Sequence, residues 1–247
     1  MKKYFLVCTA ACVLVVSGCA ESSRNNSVQS DQFTIASSTP SRETNKQVLH
    51  LIKLPPGTFL ATAEYSASPK TVAQWRSGGE EIIINGGYFH EDYSPSGFLV
   101  VQGERMGKRK FDEDKSGIVG SQNGVMTVRD LKTEPFKHGE KFDFAVQSFP
   151  FLVEDGKPAI KTISEKRARR TAVGTDKENN FYIISVIDRE LSLYEFMQEL
   201  QKTQIPFVHV LNLDGGPSTG LYMKWKEEEK IMDSIFPVPQ IIRFIPK

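Results

Sequence analysis

The chain is 247 residues long and carries 31 Lys and Arg against 30 Asp and Glu, a formal net charge of +1. That balance leaves no basic stripe or electrostatic footprint for a nucleic-acid partner. The three cysteines all fall within the first nineteen residues, so a domain formed by the remainder holds its core by packing alone, for which its length is ample.

Lys2 and Lys3 precede an almost unbroken apolar run over residues 5–16. That run is too short to span a bilayer comfortably. It ends in VSGC (16–19), which resembles the lipobox of bacterial lipoproteins. The resemblance implies a signal peptide over residues 1–18 and acyl chains, palmitate among them, on Cys19. Two or three such chains suffice for stable membrane anchoring. Cys8 and Cys12 then leave with the signal, and neither a disulfide nor a cysteine nucleophile remains. Residues 19–47 are polar and rich in Ser and Asn, the composition of a flexible tether. The folded domain is expected over 48–247, exported to the bacterial cell envelope and anchored there through Cys19.

Within the domain, runs rich in β-branched and apolar residues predict strands at 48–54, 59–65, 81–85, 97–102, 124–128, 142–153, 171–175, 181–187, 207–213 and 241–245. A helix is predicted after Ser68, with Pro69 at its first position, Val72 and Trp75 three apart, and a stop at Gly78 and Gly79. A second is predicted after Ser192, where Ser192 and Glu195 make a capping box. There Leu193, Phe196, Met197 and Leu200 recur at helical spacing. Together these predict an α+β single domain: a mixed, strongly twisted β-sheet core with two or more packed helices.

Each predicted helix is followed by a buried-looking strand, and each strand ends in a polar residue and two glycines. These are IIINGGYF (82–89) and LNLDGGPSTGLY (211–222). Paired glycines let a backbone turn sharply and approach a ligand closely, and successive amides can form an anion-binding nest. Asp214 is then either a turn former between two strands or a site carboxylate, with Gly215 and Gly216 as phosphate contacts and Ser218 and Thr219 as hydroxyl donors. Asn85 is either the Asn of a tight turn or an amide that orients a substrate hydroxyl or an acid. Arg170, next to apolar TAVG, is the arginine best placed to point inward as a bidentate phosphate partner. Lys166, Arg167 and Arg169 read as a solvated basic loop. His90, Glu91 and Asp92 are consecutive and cannot converge on one ion. No zinc spacing is present, so no cofactor is expected, and the residues leave open whether a divalent cation assists.

INGGYF, SPSGFLV, QSFPFLVEDGK, RRTAVGTD and LNLDGGPSTGLY, in this order, resemble the phosphodiester glycosidase family. The resemblance implies that Asn85, Gly86 and Gly87 line the site, with Arg170, Asp214, Gly215 and Gly216 opposite, Ser218 close by and Gln147 contributing. It implies hydrolysis of a sugar-1-phosphodiester bond, with a phosphorylated envelope glycan as partner; the alternative is a binding module that holds such a glycan without turning it over. Phe149 departs from the pattern by standing where the family has glycine. Asp214 is the carboxylate the matched motifs offer, as nucleophile or as base toward water. Asp188, at a predicted strand end, is a second candidate. One acid is chemically sufficient, because a phosphate leaving group needs charge stabilisation more than protonation.

Overall fold

The computed structural model describes residues 48–106, 112, 114–137 and 139–247. The expected signal peptide, Cys19 and the tether lie outside the described residues.

The architecture corrects the α+β expectation. Three sheets make up the domain, and every ladder in them is antiparallel. The first sheet has the order β1 (His50–Leu54), β12 (Phe181–Leu191), β11 (Ala168–Asp176), β13 (Phe207–Asn212), β9 (Phe151–Glu154) and β10 (Lys157–Pro158). The second runs β15 (Glu228–Met232), β14 (Leu221–Trp225), β3 (Glu81–Asn85), β16 (Val238–Pro246) and β2 (Phe59–Lys70). The third runs β5 (Glu104–Met106), β4 (Leu99–Val101), β8 (Phe144–Ser148), β6 (Gly117–Gln122) and β7 (Val125–Asp130). Among the described residues there is one α-helix, α1 (Leu193–Lys202).

The helix predicted after Ser68 does not form. Residues 68–70 instead continue β2, whose Lys70 pairs with Val238. Pro69 is tolerated because β2 is an edge strand of its sheet. Only a single 3-10 turn follows, Val72–Trp75, closed by Thr71 N–H on Gln74 Oε1 at 2.9 Å. A spacing of three between Val72 and Trp75 suits that turn, in which residues i and i+3 eclipse. Beyond it, Ser77 folds back on the Glu81 carboxylate, with its N–H 2.6 Å from Oε1, rather than extending a helix. By contrast α1 starts as predicted: Glu195 N–H donates to Ser192 Oγ at 3.2 Å and Ser192 N–H to Glu195 Oε2 at 2.9 Å.

One core joins the sheets. Ile52, Val173, Phe181 and Leu211 of the first, Ile82, Ile84, Ile242 and Phe244 of the second, and Leu99, Val119, Phe144 and Val146 of the third pack together. Each such side chain contributes about 1.5–3 kcal/mol on full burial. The outer face of the first sheet is covered by Phe196, Met197 and Leu200 of α1, packed against Leu152, Ile184 and Val210. The outer face of β3 is covered by the 3-10 turn, with Ile83 against Val72, Trp75 and Tyr222. Burial on both faces is why EIIIN lacks alternation.

Topology then places the glycine pairs. β3 belongs to the second sheet, while the next strand, β4, belongs to the third; β13 belongs to the first, while β14 belongs to the second. Neither pair is a hairpin turn. Both are crossings between sheets, and they meet: Asp214 N–H donates to Gly86 O at 3.3 Å.

Candidate functional site

Asn85 is the knot at this junction. It is buried, 1% exposed. Its Nδ2 donates to Asp214 O at 2.8 Å and to Gly86 O at 3.3 Å. Its Oδ1 accepts from Thr171 Oγ1 at 2.7 Å and Gly220 N–H at 3.4 Å. The amide therefore holds the strand ends carrying Asp214 in place, and its hydrogen-bonding capacity is taken up by the protein. Gly86 and Gly87 are glycines for lack of room. A Cβ on Gly86 would lie 3.0 Å from Gln240 Cγ and 3.1 Å from its carbonyl; one on Gly87 would lie 2.9 Å from Val146 Cγ1.

Asp214 is partly buried and its carboxyl is pushed up to about 6, chiefly by burial, against the opposing pull of Ser218 and the Gly215 N–H. The Gly215 N–H lies 2.8 Å from Asp214 Oδ1. That amide thus steadies the acid instead of facing an anion, and Pro217 has no N–H to offer. Gly216 has φ +59 and opens the short turn Gly216–Ser218. A Cβ on Gly215 would lie 3.0 Å from the carbonyl oxygen of Arg169, so glycine here lets the turn rest on β11. Thr219 is fully buried and its Oγ1 has no partner.

Arg170 follows a bulge in β11 between Ala168 and Arg170, the kind of irregularity that re-aims a side chain beside a site. Its Nε donates to Leu191 O at 2.9 Å and its Nη2 to Lys166 O at 3.0 Å. Nη1 faces the glycine turn, 3.8 Å from where a Cβ on Gly215 would sit. Burial lowers the guanidinium below its ordinary value, yet an arginine so held stays charged. Among the described residues no carboxylate forms an ion pair with it.

A residue that no sequence pattern singled out lies within reach of the charges of Arg170 and Asp214. Tyr88 feels the charges of both, and its phenol is raised well above the ordinary tyrosine range, by burial first and then by Asp214. Its ring lies 5.1 Å from that of Phe149, and its hydroxyl accepts from Asn212 Nδ2 at 2.8 Å. The signal for both is present in the chain: Tyr88 directly follows the first glycine pair, and Asn212 ends a buried strand two residues before the acid.

The remaining candidates divide. Gln147 is buried in β8 and spends both ends on the chain, accepting from Phe98 N–H and Asp112 N–H and donating to Asp112 O and Lys115 O. It fixes the loops around the site. Asp188 lies on β12, accepts from His50 Nε2 at 2.9 Å and acts on the charge of Arg169. Arg167 is exposed and paired with Glu195. Asp92 closes its own loop on Ser94. Among the described residues no group of three or more His, Cys, Asp or Glu is arranged to hold a metal ion. Phe149, 39% exposed, continues the Tyr88 surface outward, with Lys115 Nζ 5.4 Å from its ring centre.

A carboxylate pushed up to about 6, an arginine edge without an ion pair and a phenol within reach of both charges make a constellation for a substrate that is anionic beside an electrophilic carbon. The model of the phosphodiester glycosidase family matches residues 78–244. The chain belongs to that family. Membership supports a hydrolase of that family. A curated relative, the uncharacterized Escherichia coli (strain K12) protein YigE, is 27% identical over 154 residues, 60% of this chain and 59% of that protein. The chain thus spans about three fifths of that relative's length. Among solved structures, the zebrafish N-acetylglucosamine-1-phosphodiester alpha-N-acetylglucosaminidase catalytic domain, auto-inhibited by its pro-peptide, superposes with a TM-score of 0.59 at 15% identity. The match covers 84% of this chain and 86% of that one. A hypothetical protein from Synechocystis gives 0.51 at 16% identity, over 80% of this chain and 59% of that one. At such identities these two likenesses concern the fold.

Proposed function

We propose that this phosphodiester glycosidase cleaves the bond between a sugar C1 and the phosphate of a phosphorylated envelope glycan. The observation that carries the reading is the Arg170 guanidinium, anchored on main-chain carbonyls and aimed at the turn that holds Asp214. The phosphate monoester leaves with the electron pair of the C1–O bond, and Arg170 stabilises that charge in a partly buried site. Asp214 supplies the carboxylate, as nucleophile at C1 or as base toward the attacking water. Either role needs the ionised form, so turnover rises with pH through about 6. No cofactor takes part in this scheme. The lipobox-like VSGC supports anchoring to the envelope membrane through Cys19. The zebrafish protein's name makes N-acetylglucosamine the first sugar to test.

Phe149 supports the alternative, a glycan-binding module, because an exposed phenylalanine stands on the Tyr88 ring where the family has glycine. Purified protein is assayed for sugar release across a panel of sugar-1-phosphodiesters. The expected result is turnover by the wild type and a drop of about 10²–10⁴-fold in Asp214→Asn. Wild type and variant equally inert across the panel would sink the hydrolase; tight binding of intact glycan without product would favour the module.

A further inference from the structure

The Tyr88 hydroxyl accepts a short hydrogen bond from Asn212 Nδ2, at 2.8 Å, and donates a long one to Phe149 O, at 3.2 Å. Its main chain is pinned: Ser96 N–H donates to Tyr88 O at 2.9 Å, and Gln240 Nε2 donates to Gly87 O at 2.9 Å and Tyr88 O at 3.1 Å. The neighbouring amide of Asn212 has a fixed orientation, because its Nδ2 also faces Leu213 O at 2.7 Å and Phe149 O at 3.2 Å. Turning that amide over would set an oxygen against two carbonyl oxygens. Asn212 therefore donates to the phenol oxygen and cannot take its hydrogen. What remains for that hydrogen is Phe149 O at 3.2 Å, long for an O–H···O bond and already shared with Asn212. The hydroxyl lies in the fields of both Arg170 and Asp214.

We propose that Tyr88 is a catalytic residue that turns its hydroxyl hydrogen from Phe149 O onto a non-bridging phosphoryl oxygen of the substrate, sharing the leaving phosphate with Arg170. This rests on the sugar-1-phosphodiester reading above. In the water route the C1–O bond breaks with its electron pair passing to the phosphate oxygen. The water oxygen bonds C1, and the water proton passes to Asp214. Tyr88 keeps its own proton throughout. Burial and the Asp214 charge hold the phenol neutral, so it remains a donor at neutral pH, where Asp214 is ionised. A charge-assisted bond from a pre-oriented neutral donor is among the stronger contacts available to a phosphate. It adds to the arginine without adding charge that would hold the product back.

The test is Tyr88→Phe in the full chain, which keeps the ring on Phe149 and leaves Asn212 Nδ2 its two carbonyl acceptors. Affinity for a hexose 1-phosphate is measured by calorimetry, turnover on the diester panel, and melting temperature as a control. Expected are losses of about ten- to hundredfold in affinity and in kcat/KM, with the melting temperature unchanged. A variant within twofold of wild type in both, or one whose losses track a lowered melting temperature, overturns the proposal. Should wild type bind hexose 1-phosphate but turn over no diester, the hydrolase reading fails and Tyr88 is judged on the affinity loss alone. If wild type binds neither hexose 1-phosphate nor inorganic phosphate, both readings fall.

Discussion

Replacing Asp214 by Asn should make the protein more stable, and only above a definite pH. The carboxyl is raised from 3.8 to about 6 by burial. Below the unfolded value both states are protonated and the group is neutral in folding. Between the two values the native state takes up the proton first. Above about 6 both states are ionised, and the native state bears the whole penalty of holding a charge there. Each tenfold gain in proton affinity is worth about 1.4 kcal/mol, so the penalty is about 3 kcal/mol at most. Asp214 is only partly buried, so solvent screening reduces this to about 1–2 kcal/mol. For a domain of this size that is about 2–8 °C in Tm. An Asn keeps an oxygen for the Gly215 N–H, 2.8 Å away in the native chain. Thermal unfolding of variant and wild type is followed from about pH 4 to about pH 8. The variant's advantage should grow as pH rises through about 6 and fade at the acid end. A difference that is flat with pH, or negative at the alkaline end, would refute a native carboxyl strained by burial.

Two further outcomes are expected. Asn85→Ala strands Thr171 Oγ1, Gly220 N–H and the Asp214 carbonyl at a buried junction and should cost about 2–4 kcal/mol in urea denaturation; a cost below about 0.5 kcal/mol would show the knot to be ornamental. Gly87→Ala sets a methyl 2.9 Å from Val146 Cγ1 and 3.1 Å from Gln147 O and should cost about 1–3 kcal/mol by overpacking, read from the same denaturation midpoint.

Local signals in the sequence are legible where they are self-contained. The capping box at Ser192 and Glu195 specifies α1 by itself, and the EIIIN run ends as β3 where the glycine pair begins. The segment after Ser68 misleads because Pro69 and the Val72–Trp75 spacing fit a helix start and a 3-10 turn equally well. The deciding facts, Lys70 pairing with Val238 and Arg243 Nη2 donating to Trp75 O, are contacts with the far end of the chain. The choice between turn and site at Asp214 is likewise undecidable locally, because it depends on which sheets β13 and β14 join. Gln147 shows the converse limit. Its place in a motif is visible in the sequence, but that its amide is spent on Phe98, Asp112 and Lys115 is not.

The position of β3 has a consequence for how the protein is made. Its two neighbours in the sheet are β14 and β16, both drawn from the last part of the chain. During synthesis the apolar IIIN segment leaves the ribosome long before either partner exists, with both hydrogen-bonding edges open. A strand in that state is a template for pairing with other chains. The junction that fixes Asp214 closes only when this gap is filled, because Gly86 N–H donates to Gln240 O at 2.9 Å, so a chain stopped before β16 keeps that edge of β3 open. The C-terminal strand acts as a seal that ends the vulnerable phase of the protein's life.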